Sequence, residues 1–396
     1  MTRGSLMLAA IILARNLETQ QFSNYSYYQL TITMLSTYAA LGIGITTSKF
    51  FASATIVNEE HSKKPPIATL WLTSILTTAI ATIAVIFIPD NLINPGNSIS
   101  KWLLALGVFI LGLGIVPSNA ILGLEAYKKA ALISIFSGLS LLVGTSIAVV
   151  HRSSTIAMLS IVISSIIRSA GESFVAYSIL GWKRIAIGYP IKLVHLQEVY
   201  KLAGPMLLVS ITSASASWLV GRVILSQENG AQSFAIYAIG LQWFSLALVL
   251  PGMISRVVLP RLVHASHAAI ESFQLIRHAS KMAFLCGIIV SLVGVVCSPF
   301  IATIYGGEYS IKPWFLWLFL FAALLAAPIN TIGNAFIAKN MQNSWLFISL
   351  FRFFVLIITA FTFSELGAWT GAISYASSYL TFSALAIIIA KRNYII

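Results

Sequence analysis

Runs of about 20 predominantly apolar residues recur along the whole length of the chain, and an α-helix needs about this length to cross the hydrocarbon core of a bilayer. Of the 396 residues, 58% are hydrophobic and only 9% are charged. A soluble protein of this size cannot bury so much apolar surface in one or two cores. The sequence therefore predicts an all-α polytopic membrane protein.

Twelve such helices are predicted, six in each half of the chain. They cover residues 4–15, 25–46, 67–88, 102–124, 131–150 and 155–179, and then residues 203–225, 236–257, 282–304, 313–337, 343–364 and 367–390. The first helix is short, because only 14 residues precede Arg15, whereas 19 residues from Ala203 onwards precede Arg222. We expect a first helix that is truncated, with the initiator upstream, or one that does not fully span the bilayer.

Lysine and arginine are distributed unevenly between the two sides of this map. With the N-terminus inside, 17 of the 24 Lys and Arg residues lie on the cytoplasmic side, four lie on the opposite side and three lie within spans. Such an excess marks cytoplasmic loops, so both termini are predicted to be cytoplasmic. The net charge of +13 then requires no nucleic acid, because basic loops against an anionic leaflet account for it.

The two halves of the chain carry versions of the same element. Arg15, Phe22-Ser-Asn-Tyr25 and Lys49 correspond in order to Arg222, Phe234-Ala-Ile-Tyr237 and Arg256. Because each half has an even number of spans, the repeat is parallel, related by an axis along the membrane normal. We predict two six-helix bundles, residues 1–190 and residues 191–396.

Each half also has a proline inside its fourth helix. The motifs are Pro117-Ser-Asn119 and Pro328-Ile-Asn330. A proline removes a backbone hydrogen bond, and a lipid-exposed helix tolerates that loss poorly. Neither segment is expected to face lipid.

Several short motifs, taken in order, resemble those of a known family. They are the F-x-x-Y after the first helix, Leu41-Gly-Ile-Gly44 before Lys49, Ala203-Gly-Pro205, Ile304-Tyr-Gly-Gly-Glu-Tyr309 and Leu366-Gly-Ala-Trp-Thr-Gly-Ala372. With the twelve spans and the parallel repeat, they resemble the polysaccharide-flippase branch of the multidrug/oligosaccharidyl-lipid/polysaccharide (MOP) exporter superfamily. Within that branch the likeness is greatest to O-antigen flippases (Wzx type) of lipopolysaccharide assembly, and it covers nearly the whole chain.

The resemblance implies a transporter and not an enzyme. Proteins of this branch move undecaprenyl-diphosphate-linked oligosaccharide from the cytoplasmic to the periplasmic leaflet of the bacterial inner membrane by alternating access, in a V-shaped pair of bundles around a central cavity. Other polysaccharide-assembly proteins are the implied partners. The sequence contains no nucleophile, metal or nucleotide motif, so no cofactor is expected and the energy would come from a gradient, of H+ or Na+ for example.

The charge of that cargo makes the charged residues within the spans candidates for the binding site. A diphosphate must enter a water-filled cationic cleft, because its desolvation is very costly. Arg168 and Glu172 lie one turn apart in the middle of helix six, with Ser165 and Ser169 on the same face. They predict either a structural ion pair or a group that binds substrate or couples an ion. Arg352 lies in the middle of helix eleven, and either it binds an anionic group or its long side chain reaches a polar edge.

The repeat supplies two further pairs of candidate cations. Arg15 and Arg222 occupy equivalent positions near the periplasmic ends of helices one and seven, where they either bind phosphate or sugar or anchor the helix at the interface. Lys49 and Arg256 lie at the cytoplasmic ends of helices two and eight, where topology alone would place a cation. Trp218 and Trp243 are candidate sugar contacts, although aromatic residues near span ends also occur in interfacial belts.

Two other functions account for the sequence less well. A multidrug cation antiporter of the same superfamily would be expected to hold intramembrane carboxylates, whereas the spans here carry Arg168, Arg222 and Arg352 against Glu172. A polysaccharide polymerase would be expected to carry a large basic periplasmic loop, and the loops here are short. The balance of charge favours an anionic substrate.

Overall fold

The computed structural model of the chain describes residues 3–40, 43–44, 46–48, 51, 67–89, 100–180, 193–255, 269–306, 309, 311–339 and 341–393. Every regular element within these ranges is a helix. The predicted all-α polytopic class is thereby confirmed.

Each predicted helix has a counterpart in the structure. In the first half these are α1 (Arg3–Asn16), α2 (Thr19–Ala39), α3 (Ile67–Phe87), α4 (Lys101–Leu113), α5 (Ile115–Gly123), α6 (Tyr127–Val150) and α7 (Ser154–Leu180). In the second half they are α8 (Leu193–Leu225), α9 (Gly230–Ala247), α10 (Val249–Ser255), α11 (Ala269–Ile304), α12 (Pro313–Ala338), α13 (Gln342–Thr362) and α14 (Ala368–Arg392).

Length and hydropathy qualify nine segments of the described chain as membrane spans, or ten if the bent pair of α9 and α10 counts as one span. The helices α1 and α2 fall outside this set for different reasons. The helix α1 has 14 residues, which is fewer than a bilayer requires. The helix α2 has 21 residues but consists largely of Gln, Asn, Ser, Thr and Tyr.

Prolines explain where two predicted helices are divided. The fourth predicted helix breaks at Gly114, between α4 and α5. Pro117 has no N–H to donate to the carbonyl of Leu113, where α4 ends. Similarly, α9 and α10 meet at an angle of 44°, and Pro251 cannot bond the carbonyl of Ala247. Pro328, by contrast, lies within the continuous helix α12.

The helices pack into two compact units. The first unit comprises Met1–Leu6, Tyr28–Ala148 and Thr155–Ala214, and the second comprises Met7–Tyr27, Val149–Ser154 and Ser215–Ile396. The division therefore falls inside α1, α2 and α8, and near the adjoining ends of α6 and α7. The two bundles predicted at residues 1–190 and 191–396 are defined by the sequence repeat and not by packing, and they stay a prediction.

Contacts of tyrosine side chains bring distant motifs together within the second unit. The Tyr309 hydroxyl donates to the carbonyl oxygen of Ala14 at 3.3 Å, and its ring lies 5.8 Å from that of Phe22. Tyr237, the last residue of the second F-x-x-Y, donates to the carbonyl oxygen of Ser217 at 3.0 Å. Both F-x-x-Y motifs thus supply buried packing residues of this unit.

Two glycines explain the motif Leu366–Ala372, at the start of α14. Gly367 has a φ of 58°, a conformation that glycine adopts without steric penalty, and it ends the turn between α13 and α14. At Gly371 an added Cβ would lie 2.2 Å from Cδ2 of Tyr237. This close approach lets α14 pack directly against α9.

Candidate functional site

A cavity of about 320 Å³ lies within the first unit. It is bounded by α2, by the break between α4 and α5, and by α7. Its lining residues are Leu6, Thr33, Ser36, Thr37, Ile110, Leu111, Gly114, Ile115, Ser118, Asn119, Ser165, Arg168, Ser169 and Glu172. The break at Gly114 matters here, because it brings the polar residues of α5 to the same cavity as the polar face of α7.

The Arg168–Glu172 pair forms the charged part of this cavity. Arg168 Nε donates to Glu172 Oε1 at 2.8 Å, and the Glu172 side chain is only 3% exposed. The Ser118 hydroxyl donates to the other carboxylate oxygen, Oε2. Both oxygens of the carboxylate therefore have donors, as a buried charge requires.

Most of the hydroxyl groups in the cavity donate to their own helices. Thr33 donates to the Gln29 carbonyl at 2.7 Å, and Thr37 donates to the Thr33 carbonyl at 2.7 Å. Ser36 and Ser165 bond carbonyl oxygens three and four residues earlier in the same way. A hydroxyl that donates in this way still has oxygen lone pairs that can accept hydrogen bonds.

Arg352 is buried in the second unit, with 7% of its surface exposed. Its guanidinium carbon lies 4.9 Å from the ring centre of Tyr379 and 5.3 Å from that of Phe382. Both rings belong to α14, next to the α13 helix that carries Arg352. Contacts at these distances are cation–π interactions, which are worth about 2 kcal/mol when the cation is desolvated.

Arg222 and Arg15 lie in the last turns of α8 and α1. The Arg222 guanidinium stacks over the Trp218 ring at 5.6 Å, and Trp218 in turn lies 6.3 Å from the ring of Tyr27. Arg15 is exposed. A cation in the last turn also complements the helix dipole, so this position has a structural explanation in addition to the predicted role in binding.

Trp243 contacts a tyrosine of the same unit. Its indole Nε1 donates to the Tyr305 hydroxyl at 3.2 Å. Its N–H group is thus used within the protein. Lys49 and Arg256, the last predicted pair of cations, lie outside the described residues.

Some residues at these sites were not predicted from the sequence. Ser118, Tyr379 and Phe382 lie on different helices from the charged residues that they contact, and nothing in their local sequence indicates the contact. The cavity-lining hydroxyls of α2 could have been predicted from the sequence, because α2 is strongly polar and contains no charged residue. Among the described residues, no group of three or more His, Cys, Asp or Glu side chains is placed to hold a metal ion.

Comparisons with known proteins identify the fold. No family model matches the sequence, and a search of curated proteins finds no match. Solved structures are similar over nearly the whole chain. An outward-facing multidrug resistance MATE family transporter of the MOP superfamily has a TM-score of 0.77 at 15% identity, over 99% of this chain and 92% of that one.

Two further structures give the same result. An inward-facing MATE family transporter of the MOP superfamily has a TM-score of 0.72 at 14% identity, over 99% of this chain and 94% of that one. A MOP superfamily transporter from Pyrococcus furiosus, described as having a binding pocket of reverse polarity, has a TM-score of 0.71 at 17% identity, over 99% and 92%. The flippase branch stays a prediction, and the chain has the fold of the MATE transporters of the MOP superfamily.

Proposed function

We propose that this chain transports polyprenyl-diphosphate-linked oligosaccharide from the cytoplasmic to the periplasmic leaflet of a bacterial inner membrane. Both of its termini would lie in the cytoplasm, as the distribution of Lys and Arg predicts. The lipid tail would stay in the bilayer while the diphosphate and sugars cross through the protein. The energy would come from a gradient of H+ or Na+.

Alternating access is the mechanism that the fold supports. Similar structures have been solved in inward-facing and outward-facing conformations. Two such conformations expose one binding site to each side of the membrane in turn, and this exchange moves a cargo without a continuous pore.

The charge of the membrane spans is the observation that carries the choice of cargo. In the described candidate spans, Glu172 is the only carboxylate, and hydrogen bonds from Arg168 and Ser118 occupy both of its oxygens. Arg222 and Arg352 add positive charge to the spans, and at Arg352, in the middle of α13, a cation is expensive to keep. A diphosphate would offset that charge, whereas a cationic drug would add to it.

A structural neighbour provides a precedent for this reasoning. The Pyrococcus furiosus protein is a MOP superfamily transporter for which reverse polarity of the binding pocket suggests a different function. In this chain, the excess of arginine over carboxylate in the spans likewise argues for a cargo other than a cationic drug.

The multidrug cation antiporter remains the alternative function. It would require Glu172 to accept a cation in place of Arg168, and thus the opening of a partly buried ion pair. The polysaccharide polymerase is less favoured, because it explains neither the parallel repeat nor the transporter fold.

Deletion of the gene in its host tests the proposal. We expect loss of a surface polysaccharide and accumulation of its polyprenyl-linked repeat unit on the cytoplasmic side, because the cargo would still be made but would not cross. Expression of the wild-type chain restores the polysaccharide. An unchanged amount of surface polysaccharide, together with greater sensitivity of the deletion strain to cationic drugs, would favour the antiporter instead.

A further inference from the structure

We infer that the cavity between α2, α5 and α7 binds an uncharged sugar ring of the cargo and not its diphosphate. This inference rests on the proposed function, and it specifies which part of the substrate the first unit binds. Three properties of the cavity support it: its net charge, the hydrogen-bonding state of its hydroxyl groups, and its size.

The lining of the cavity has no net charge. Arg168 and Glu172 are the only charged residues among the lining residues in the described chain, and they pair with each other at 2.8 Å. A self-neutralised pair produces only a weak field beyond its immediate neighbourhood. The cavity therefore has little attraction for a diphosphate or for a cationic drug.

The hydroxyl groups of the cavity are set to accept hydrogen bonds. Thr33, Ser36, Thr37 and Ser165 each donate their proton to a carbonyl oxygen of their own helix. Their oxygens can accept further bonds, and the hydroxyl groups of a sugar are donors that can satisfy them. Phosphate oxygens only accept, so a phosphate would have to break these helix bonds before it could pair.

The size and the apolar part of the cavity also suit one sugar ring. Its volume of about 320 Å³ lies at the lower end of the range of about 300–1,000 Å³ for ligand pockets. Such a volume holds one small sugar ring, and further sugars of a chain would lie outside it. Leu6, Ile110, Leu111 and Ile115 supply an apolar wall, which fits the C–H groups of a pyranose or the methyl of an acetamido group.

Binding to purified protein in nanodiscs tests the inference. The probes are undecaprenyl diphosphate bearing one N-acetylhexosamine, the same lipid without a sugar, and tetraphenylphosphonium as a lipophilic cation. The variant Thr33→Val/Thr37→Val removes two acceptor oxygens with little change of shape. The matched control is Thr77→Val/Thr82→Val on α3, where the hydroxyls also donate to their own helix and do not line the cavity.

We expect the wild-type chain to bind the sugar-bearing lipid more tightly than the sugar-free lipid. The cavity variant loses about tenfold or more in affinity for the sugar-bearing lipid, which is the effect of two lost hydrogen bonds. Its affinity for the sugar-free lipid stays unchanged, and the α3 control binds both lipids like wild type. If the cavity variant does not fold, Ser165→Ala on α7 replaces it, with an expected loss of about threefold or more.

Other outcomes overturn the inference in distinguishable ways. An equal loss for both lipids, or no loss for either, shows that the cavity does not hold the sugar. Equal binding of both lipids by the wild-type chain refutes the sugar site and leaves the proposed function intact. If neither lipid binds and tetraphenylphosphonium does, the proposed function itself is wrong.

Discussion

Arg352→Ala is expected to lower the rate of cargo translocation about tenfold or more without a comparable loss of stability. A charge on a phosphate about 10 Å from the guanidinium would interact with it by roughly 1.7 kcal/mol at an effective dielectric constant of 20. That free energy corresponds to more than a tenfold change in rate. Arg352 is buried in the second unit, where solvent screens its charge only weakly.

The stability of this variant separates a functional role from a structural one. The mutation removes the cation–π contacts with Tyr379 and Phe382, and it also removes the desolvation cost of a buried cation. Because these two effects have opposite signs, we expect a thermal unfolding midpoint near that of wild type. Translocation is measured in proteoliposomes, and unfolding is followed in detergent.

Two further variants serve as controls for Arg352. Arg352→Lys keeps the charge but loses the planar group that stacks on the rings, so most of the activity is expected to remain. Phe354→Ala on the same helix removes a large, 57% exposed side chain and is expected to have little effect. Full activity of Arg352→Ala, or a loss that only follows the loss of folded protein, would contradict the role given to this charge.

Arg168→Ala is expected to destabilise the first unit by on the order of 3 kcal/mol, because it leaves a buried carboxylate without its cation. Glu172 is buried, and Ser118 alone cannot compensate its charge. The double variant Arg168→Met/Glu172→Gln removes both charges and is expected to recover most of that stability. Thermal unfolding of the purified single and double variants measures the difference.

Activity distinguishes a binding pair from a purely structural pair. We expect the double variant to fold but to translocate poorly, because the polar lining of the cavity has changed. Glu365→Gln, at an exposed carboxylate of the chain, is the control and should leave both measurements unchanged. Full activity of the double variant would show that the pair is purely structural. A double variant as unstable as Arg168→Ala would show that the stabilities of the two residues are not coupled.

The helices could be predicted from the sequence because the bilayer fixes the length of an apolar span. Their ends were less predictable. The helix α8 begins at Leu193 and α11 begins at Ala269, ahead of the predicted residues 203 and 282, because helices can continue beyond the apolar run. The break at Gly114 followed from Pro117, whereas Pro328 left α12 continuous.

The candidate sites were predictable only where the interaction is local. The spacing of Arg168 and Glu172 by four residues places them on one face of a helix, and the pair forms as that spacing indicates. The contact of Ser118 with Glu172, and those of Arg352 with α14, depend on how separate helices pack against each other. The hydropathy of a sequence does not show which side chains of two packed helices meet, so these partners are known only from the structure.

Reconstitution of the purified chain into liposomes with fluorescent undecaprenyl-diphosphate-linked trisaccharide is the most direct test of the proposed function. Quenching of the outer leaflet by an impermeant reagent reports how fast the labelled lipid crosses, with and without a gradient of H+ or Na+. In parallel liposomes, a lipophilic cation replaces the lipid. We predict that the wild-type chain moves the labelled lipid faster than empty liposomes do and does not accumulate the cation. Accumulation of the cation without movement of the lipid would contradict the proposed function.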